Sequence, residues 1–136
     1  MPEIVYLDSP LDSDGLYERL CPPVRQWFRD KFPDFTRPQK LAIPAIMDKQ
    51  HLLLCSPTGS GKTLTAFLTV IDQLVRLALE NKLEKKVHAI YISPIKALAN
   101  DIQRNLIGPL NEITKHYLPD RAQEIRVGLR TCLLYT

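Results

Sequence analysis

Residues 55–63 read Cys-Ser-Pro-Thr-Gly-Ser-Gly-Lys-Thr, and they indicate the fold more directly than the rest of the sequence. It follows the apolar run 51–54 and opens a long segment with apolar residues at helical spacing. Strand, glycine-containing loop and helix, in that order, are the context in which such a loop binds phosphate. The glycines let consecutive backbone N–H groups turn toward one point, and the following helix directs its positive end there. The stretch therefore predicts a nucleoside triphosphate as the ligand.

The residues predicted to bind this ligand are Ser56, Pro57, Thr58, Gly59, Ser60, Gly61, Lys62 and Thr63. Lys62 is expected to reach the β- and γ-phosphates, and the Thr63 hydroxyl to hold Mg²⁺, so these two are the catalytic candidates. One departure from the general pattern is Ser56, which stands where the first glycine would fall. The alternative interpretation is a surface turn with an incidental lysine.

Bulk composition limits the class of protein. The 136 residues have the size of one domain, and 45% hydrophobic with 24% charged residues is an ordinary soluble balance. The net charge of +3 is compatible with nucleic-acid binding but is weak evidence for it. No basic region is followed by an apolar run at the N-terminus, and no stretch reaches the length of a membrane span. We expect a cytoplasmic protein without a membrane partner.

The three cysteines, Cys21, Cys55 and Cys132, are widely spaced and odd in number. They show no metal-ligand spacing and no disulfide framework, which fits a reducing compartment. Cys55 is expected to be a small buried residue at the end of the first strand.

Alternating patterns predict an α/β fold, the start of a doubly wound parallel sheet flanked by helices. Strands are expected at 52–55, 87–92 and 125–129, and helices at 22–32, about 40–49, 61–80, from 96 to Gly108-Pro109, and around 110–117. Thr36 is expected to cap the second of these helices, and Pro44 to kink or loosen it. Residues 1–20 are interpreted as an extended N-terminal arm with one turn. Ligands should gather at the carboxyl ends of the strands.

Gln39 precedes Lys62 by 23 positions, with one predicted helix and one predicted strand between them. Its amide offers a donor and an acceptor, which suits the edge of adenine. The run 36–39, Thr-Arg-Pro-Gln, placed before this phosphate loop, resembles the Q motif of superfamily 2 helicases, and the loop itself resembles their motif I. The resemblance implies ATP as the nucleotide, with Phe35 (alternatively Phe32) packing near the base. A lone glutamine would otherwise be an exposed helix residue.

Residues 92–101, Ile-Ser-Pro-Ile-Lys-Ala-Leu-Ala-Asn-Asp, resemble helicase motif Ia, which holds the sugar-phosphate backbone of a single strand. A helix start offers free N–H groups, and a hydroxyl and a lysine add further phosphate contacts. The resemblance assigns nucleic-acid binding to Ser93, Pro94, Lys96, Ala97 and Asn100. The alternative is an ordinary capped helix start with a surface lysine.

Two further stretches, 64–68 (Leu-Thr-Ala-Phe-Leu) and 100–106 (Asn-Asp-Ile-Gln-Arg-Asn-Leu), narrow the resemblance to the large helicase-related (Lhr) branch of the DEAD/DEAH group. The resemblance covers about residues 22–131. It implies a RecA-like ATP-binding domain of an ATP-dependent helicase that translocates 3′ to 5′ on single strands. DNA or an RNA–DNA hybrid is the expected partner rather than RNA alone.

The Asp-Glu-x-His motif that organises Mg²⁺ and the attacking water in this family occurs nowhere in the 136 residues. The family pattern continues Arg-Thr-Gly-Asp-Thr, whereas Arg130-Thr131 is followed by Cys-Leu-Leu-Tyr-Thr at 132–136. These five residues are what TGTCTCTTATACACA, a transposase adapter sequence, encodes. We expect 21–131 to be a partial first RecA-like domain, 132–136 a non-native read-through tail, and the second RecA-like domain to be missing. The alternative for the tail is a natural hydrophobic C-terminus.

A sheet of three strands would leave unpaired edges, so we expect marginal stability and no useful rate of ATP hydrolysis by these residues alone. Two other function classes stay open at the level of sequence. One is a P-loop kinase or other NTPase that acts on small molecules, against which Gln39 and the 93–98 turn argue. The other is a non-catalytic nucleotide-binding or interaction module.

Overall fold

The computed structural model describes residues 3–57, 61–93 and 99–130. Six α-helices and one π-helical segment lie in these ranges. They are α1 (Ser13–Arg19), α2 (Pro22–Lys31), α3 (Arg37–Met47), α4 (Lys62–Leu79), α5 (Ala99–Ile102), the π-helical segment Gln103–Ile107 and α6 (Gly108–His116).

The long helix α4 forms the centre of the core. It packs against α3 and α2 and against the π-helical segment, while α2 also contacts α6 and α1 contacts α3. Its buried face carries apolar residues at helical spacing, as the sequence predicts. The fully buried members of this face include Leu68, Ile71 and Val75.

Aromatic side chains join α1, α2 and the loop before α3. The rings of Phe28 and Phe35 stack with centroids 4.2 Å apart, and the Tyr17 ring lies 4.7 Å from that of Phe35. Trp27 and Phe32 extend the cluster through edge and tilted contacts. Offset and edge-to-face pairs of this kind each add about 1 kcal/mol beyond the area they bury. This cluster fixes the start of α3 relative to α2.

Local helix signals are confirmed. Pro22 and Pro23 occupy the first turn of α2, where their missing N–H groups cost nothing. Thr36 caps α3: its hydroxyl accepts from the Gln39 N–H, and the Gln39 side chain accepts from the Thr36 N–H in return. The observed α4, Lys62–Leu79, matches the predicted helix to within a residue at each end.

The three predicted strands are not formed in the described residues. Segments 52–55, 87–92 and 125–129 have no strand pairing, and no backbone hydrogen bond among described residues joins one of them to another. A strand exists only through ladder bonds to a neighbour, and a parallel strand also needs cover on both faces. Neither condition is met: Leu53 and Ile92 are each 86% exposed. Cys55 is exposed as well, contrary to expectation.

The N-terminal segment differs from the predicted extended arm. Residues 13–19 form α1, capped by Asp12, and Leu16 and Tyr17 are buried in the core. Residues 3–12 form neither helix nor strand. The prediction was wrong for 13–19 because the mixed polar sequence hides a short apolar face that packs on α3.

Pro44 lies inside α3, which continues to Met47. Without an N–H, Pro44 cannot bond the Lys40 carbonyl one turn back. That carbonyl instead accepts the Leu11 N–H at 3.2 Å. The Pro44 carbonyl accepts from the Arg19 guanidinium at 3.2 Å. The Leu11 N–H therefore replaces the donor that the proline removes, and the Arg19 guanidinium adds a second bond to α3.

The predicted helix stop at Gly108-Pro109 was also wrong. The chain passes from α5 through the π-helical segment directly into α6, with Pro109 in the first turn of α6. The Gly108 N–H bonds to the Gln103 carbonyl five residues back, so the wider turn accommodates a proline that would break a regular helix.

A buried carboxylate ties α2 to α4. Asp72, 3% exposed, accepts the Cys21 backbone N–H at 2.7 Å and the Arg76 Nε–H at 2.8 Å. Arg76 also donates to the Arg19 carbonyl. Burial, with the adjoining Asp72 carboxylate, raises the pKa of the Cys21 thiol to about 12. The uncapped start of α2 is thus satisfied by a side chain from the central helix.

None of the helices in the described part of the chain is both long and apolar enough to cross a bilayer.

Candidate nucleotide-binding site

Gly61 marks the point where the phosphate loop becomes α4. It is the N-cap of that helix, in the left-handed conformation with φ at +82°, which glycine adopts without strain. Having no side chain, it leaves the first N–H groups of α4 without the usual side-chain cap. Such a helix start favours an anion.

The Lys62 side chain connects the end of the phosphate loop to its beginning. Its ammonium donates to the Ser56 carbonyl at 2.6 Å, across the span between the two. The lysine is half-buried and Pro57 is exposed. The lysine ammonium therefore lies against the backbone at the start of the loop. Thr58, Gly59 and Ser60 are outside the described residues.

Gln39 connects the start of α3 to this loop. It is only 3% exposed, and its Oε1 accepts the Thr36 N–H at 2.8 Å. A Cβ atom added at Gly61 would stand 2.7 Å from Gln39 Nε2, so the amide nitrogen lies over the last glycine of the loop. The structure thus brings Gln39 and the phosphate loop together, as the sequence indicates, with one amide oxygen lone pair engaged inside α3. Its contact with adenine stays a prediction.

Phe35 and Phe32 lie in or against the aromatic cluster. Phe35 is 5% exposed and stacked on Phe28, and Phe32 is half-buried beside Trp27. The ring of Phe35 is therefore enclosed by protein. It packs beneath the turn that leads into Thr36 and Gln39. The sequence pattern could not distinguish an aromatic residue of the core from one that faces a base.

Thr65 was missed by the sequence analysis. It is fully buried, and its hydroxyl donates to the Gly61 carbonyl at 2.6 Å. The signal was available, because a threonine four residues after the N-cap can bond back to that residue's carbonyl.

An open cleft of about 480 Å³ adjoins the loop. Lys62 and Thr63 line it at the start of α4, and Tyr91 lines it from the opposite segment. The Tyr91 ring packs on Phe67 with centroids 4.8 Å apart. The rest of the lining is Ile46, Gln50, His51, Leu52, Leu54, Thr65 and Ala66. Thr63 is therefore accessible from solvent at the position that the loop pattern assigns to Mg²⁺.

The residues present fit a magnesium nucleoside triphosphate. Polyphosphate needs hydrogen-bond donors, and here the Lys62 ammonium and the uncapped N–H groups at the start of α4 supply them. It also needs close approach to the backbone, which Gly61 allows because it has no Cβ. In the described ranges no group of three His, Cys, Asp or Glu residues could hold a metal ion.

The residues assigned to nucleic-acid binding are mostly outside the description. Pro94, Lys96 and Ala97 are not described, Ser93 is the last described residue before the gap, and the Asn100 backbone lies in α5. Their role stays a prediction.

Comparison with known proteins identifies the family. The sequence profile of the DEAD/DEAH box helicase family matches residues 36–129, which include Gln39, the phosphate loop and Ser93. The chain belongs to the DEAD/DEAH box helicase family. Membership implies a RecA-like fold.

Several curated relatives are helicases of the Lhr branch. The chain is 46% identical over 133 residues to the ATP-dependent helicase Lhr-Core of Methanocaldococcus jannaschii, covering 96% of the chain and 16% of the relative. It is 52% identical over 119 residues to Lhr-Core of Saccharolobus solfataricus, covering 88% and 13%. It is 40% identical over 132 residues to the Lhr helicase/uracil glycosylase of Escherichia coli, covering 91% and 8%. The chain thus spans a sixth or less of each of these relatives. No solved structure matches it.

Proposed function

We propose that the chain is the ATP-binding portion of an ATP-dependent nucleic-acid helicase of the Lhr type. The loop at 56–63 binds ATP with Mg²⁺, and in the whole protein hydrolysis drives translocation 3′ to 5′ on a single strand. The observation that carries the proposal is the pairing of Gly61, left-handed at the start of α4, with Lys62, whose ammonium reaches back to the Ser56 carbonyl.

Phosphate binding follows from groups already in place. The Lys62 ammonium exchanges the Ser56 carbonyl for β- and γ-phosphate oxygens, which are stronger acceptors because they are charged. The Thr63 hydroxyl, on the first turn of α4 and lining the cleft, ligates Mg²⁺. A cation held there would supply positive charge next to the phosphate oxygens.

The partner we propose is single-stranded DNA or an RNA–DNA hybrid. Ser93, Pro94, Lys96, Ala97 and Asn100 contact its phosphates and sugars, which positions the strand without reading its bases. In the whole protein the strand lies between this domain and a second RecA-like domain. Segments 52–55, 87–92 and 125–129 are proposed as parallel strands of the complete domain. The protein is cytoplasmic in this proposal.

Domain limits are proposed at 1–20 for the N-terminal arm, 21–131 for the partial RecA-like domain and 132–136 for a non-native tail. No Asp-Glu-x-His motif lies in the 136 residues, so we expect them to bind ATP without a useful rate of hydrolysis.

Equilibrium binding of a fluorescent ATP analogue in the presence of Mg²⁺ tests the proposal. Lys62→Ala should raise Kd at least about tenfold, because it removes a charge-assisted contact with phosphate. Lys82→Ala is the matched control, since Lys82 is an exposed lysine paired with Glu80 on the connection after α4. An equal Kd for the two variants would contradict the proposed site. ATP turnover by the 136-residue chain that Lys62→Ala abolishes would contradict the expected lack of hydrolysis.

Strand binding is tested separately with labelled single-stranded DNA, RNA and an RNA–DNA hybrid. Contacts with phosphates should make the affinity fall with salt, and Lys96→Ala should lower both the affinity and the slope. ATP binding without any strand binding would favour a small-molecule NTPase.

A further inference from the structure

We propose that Thr65 is a positioning residue for the phosphate loop. Its hydroxyl fixes the peptide group that joins Gly61 to Lys62 and so orients the Lys62 backbone N–H toward bound phosphate. The inference rests on the proposed nucleotide binding and adds a residue to that site.

The first observation is that one carbonyl receives two bonds from one residue. The Gly61 oxygen accepts the Thr65 hydroxyl at 2.6 Å and the Thr65 backbone N–H at 2.9 Å. Thr65 is fully buried, which limits the access of water to its hydroxyl. The direction of the Gly61 carbonyl is therefore held along the axis of α4.

The second step concerns the geometry of the peptide. A peptide group is planar and trans, so its N–H points opposite to its C=O. With the Gly61 carbonyl held toward Thr65, the Lys62 N–H points out of the helix start and toward the loop. This N–H is among those that have no partner inside a helix. It is then presented as a donor to an anion.

The peptide needs such support because glycine alone does not fix it. Gly61 has φ at +82° and could adopt other conformations at little cost. Gln39 limits movement on one side, where its amide nitrogen lies over the Gly61 Cα. The Thr65 hydroxyl holds the other side through the carbonyl oxygen.

Thr69 provides a matched comparison one turn further along α4. It is 6% exposed, and its hydroxyl donates to the Ala66 carbonyl at 2.7 Å. The residue type, helix, burial and bond length are close to those of Thr65, but the carbonyl lies in the body of the helix. Any general effect of removing a buried threonine hydroxyl should therefore be common to both sites.

The test compares Thr65→Val, Thr65→Ser and Thr69→Val by Kd for the fluorescent ATP analogue with Mg²⁺ and by urea unfolding. Thr65→Val should raise Kd up to about tenfold, which corresponds to the loss of one buried hydrogen bond. Thr65→Ser should keep the wild-type Kd, and so should Thr69→Val, although both valine variants should lose similar stability. The serine rescue separates the hydroxyl from packing of the threonine methyl.

Two results would overturn the inference while leaving nucleotide binding intact: a wild-type Kd for Thr65→Val, or an equal rise for Thr69→Val. If Thr65→Val does not fold, Thr65→Cys replaces it, because a thiol is only a weak hydrogen-bond donor. Equal Kd values for the cysteine and serine variants would then count against it. Absence of nucleotide binding by the wild-type chain would instead remove the proposed function itself.

Discussion

The amide nitrogen of Gln39 lies over the backbone of Gly61, where an added Cβ atom would stand only 2.7 Å from it. Gln39 is held in turn by the Thr36 N–H, which its Oε1 accepts at 2.8 Å. The first turn of α3 therefore contacts the last glycine of the phosphate loop through the Gln39 amide. Space and backbone conformation at Gly61 both restrict that position to glycine.

Gly61→Ala should lower the free energy of unfolding by about 1–2 kcal/mol, because a side chain is strained at φ of +82°. It should also weaken binding of the fluorescent ATP analogue, since the Gln39 amide must move to admit the methyl group. Urea unfolding and equilibrium binding measure the two effects. Gly128→Ala is the control, because nothing lies within 4 Å of its added Cβ. Equal behaviour of the two variants would contradict the described contact.

Asp72→Ala should destabilise the protein by about 3 kcal/mol, because two hydrogen bonds to a buried carboxylate are lost together. The Cys21 N–H and the Arg76 guanidinium would both lose their acceptor. Asp72→Asn keeps one amide oxygen and should cost less. Urea unfolding at neutral pH gives the comparison. If the alanine variant were as stable as Lys82→Ala, the carboxylate would not be the tie between α2 and α4.

Gly108→Ala tests the π-helical segment. In a regular helix this change stabilises by about 1 kcal/mol, because alanine has the higher helix propensity. Here the added Cβ would stand 2.9 Å from the Gln103 carbonyl oxygen, a backbone atom that cannot rotate away. We expect a loss of about 1 kcal/mol instead, measured by urea unfolding. A gain in stability would mean that the wide turn at 103–107 is absent.

Glu112 should make stability depend on acid pH. Hydrogen bonds from two side chains hold the pKa of Glu112 below the ordinary value of 4.5. The larger effect comes from the Lys31 ammonium and the smaller from the Trp27 indole. A carboxyl whose pKa is lowered on folding stabilises the native state above its unfolded pKa, and this contribution is lost as pH falls through the folded value. The side chain is 43% exposed, so solvent screening limits the effect to about 0.5 kcal/mol.

The measurement is urea unfolding of wild type and Glu112→Gln at neutral pH and at about pH 3. The wild type should lose more stability than the variant on acidification. Glu124→Gln, which removes one negative charge from the exposed pair with Arg126, controls for net charge. A steeper loss in Glu112→Gln than in wild type would contradict the described contacts.

Helices and their caps could be predicted because their signals are local. The apolar spacing along 64–78 predicts α4, and Thr36 with Gln39 predicts the start of α3. Strands could not be verified in the same way, since 52–55, 87–92 and 125–129 need partners to pair with. The turn at Gly108-Pro109 reads as a helix stop unless a carbonyl five residues back accepts the N–H.

In the candidate site, too, the features with local sequence signals could be predicted and those that depend on tertiary packing could not. The residue types of the phosphate loop, with the helix that follows, predict its ligand directly. The burial of Phe35, the contact of Gln39 with Gly61 and the bond from Thr65 depend on tertiary packing. Single-sequence patterns carry no information on which neighbour a buried amide, ring or hydroxyl will meet.

Pro44 gives the N-terminal segment its point of attachment. In a helix interior each carbonyl normally accepts the backbone N–H four residues later in the same helix. The proline leaves the Lys40 carbonyl as a vacant acceptor, and the Leu11 N–H fills it. A residue with an N–H at position 44 would compete for that oxygen and weaken its bond with the Leu11 N–H. Pro44 removes one hydrogen bond from α3 and thereby helps to hold Leu11, more than thirty positions earlier in the chain, against this helix.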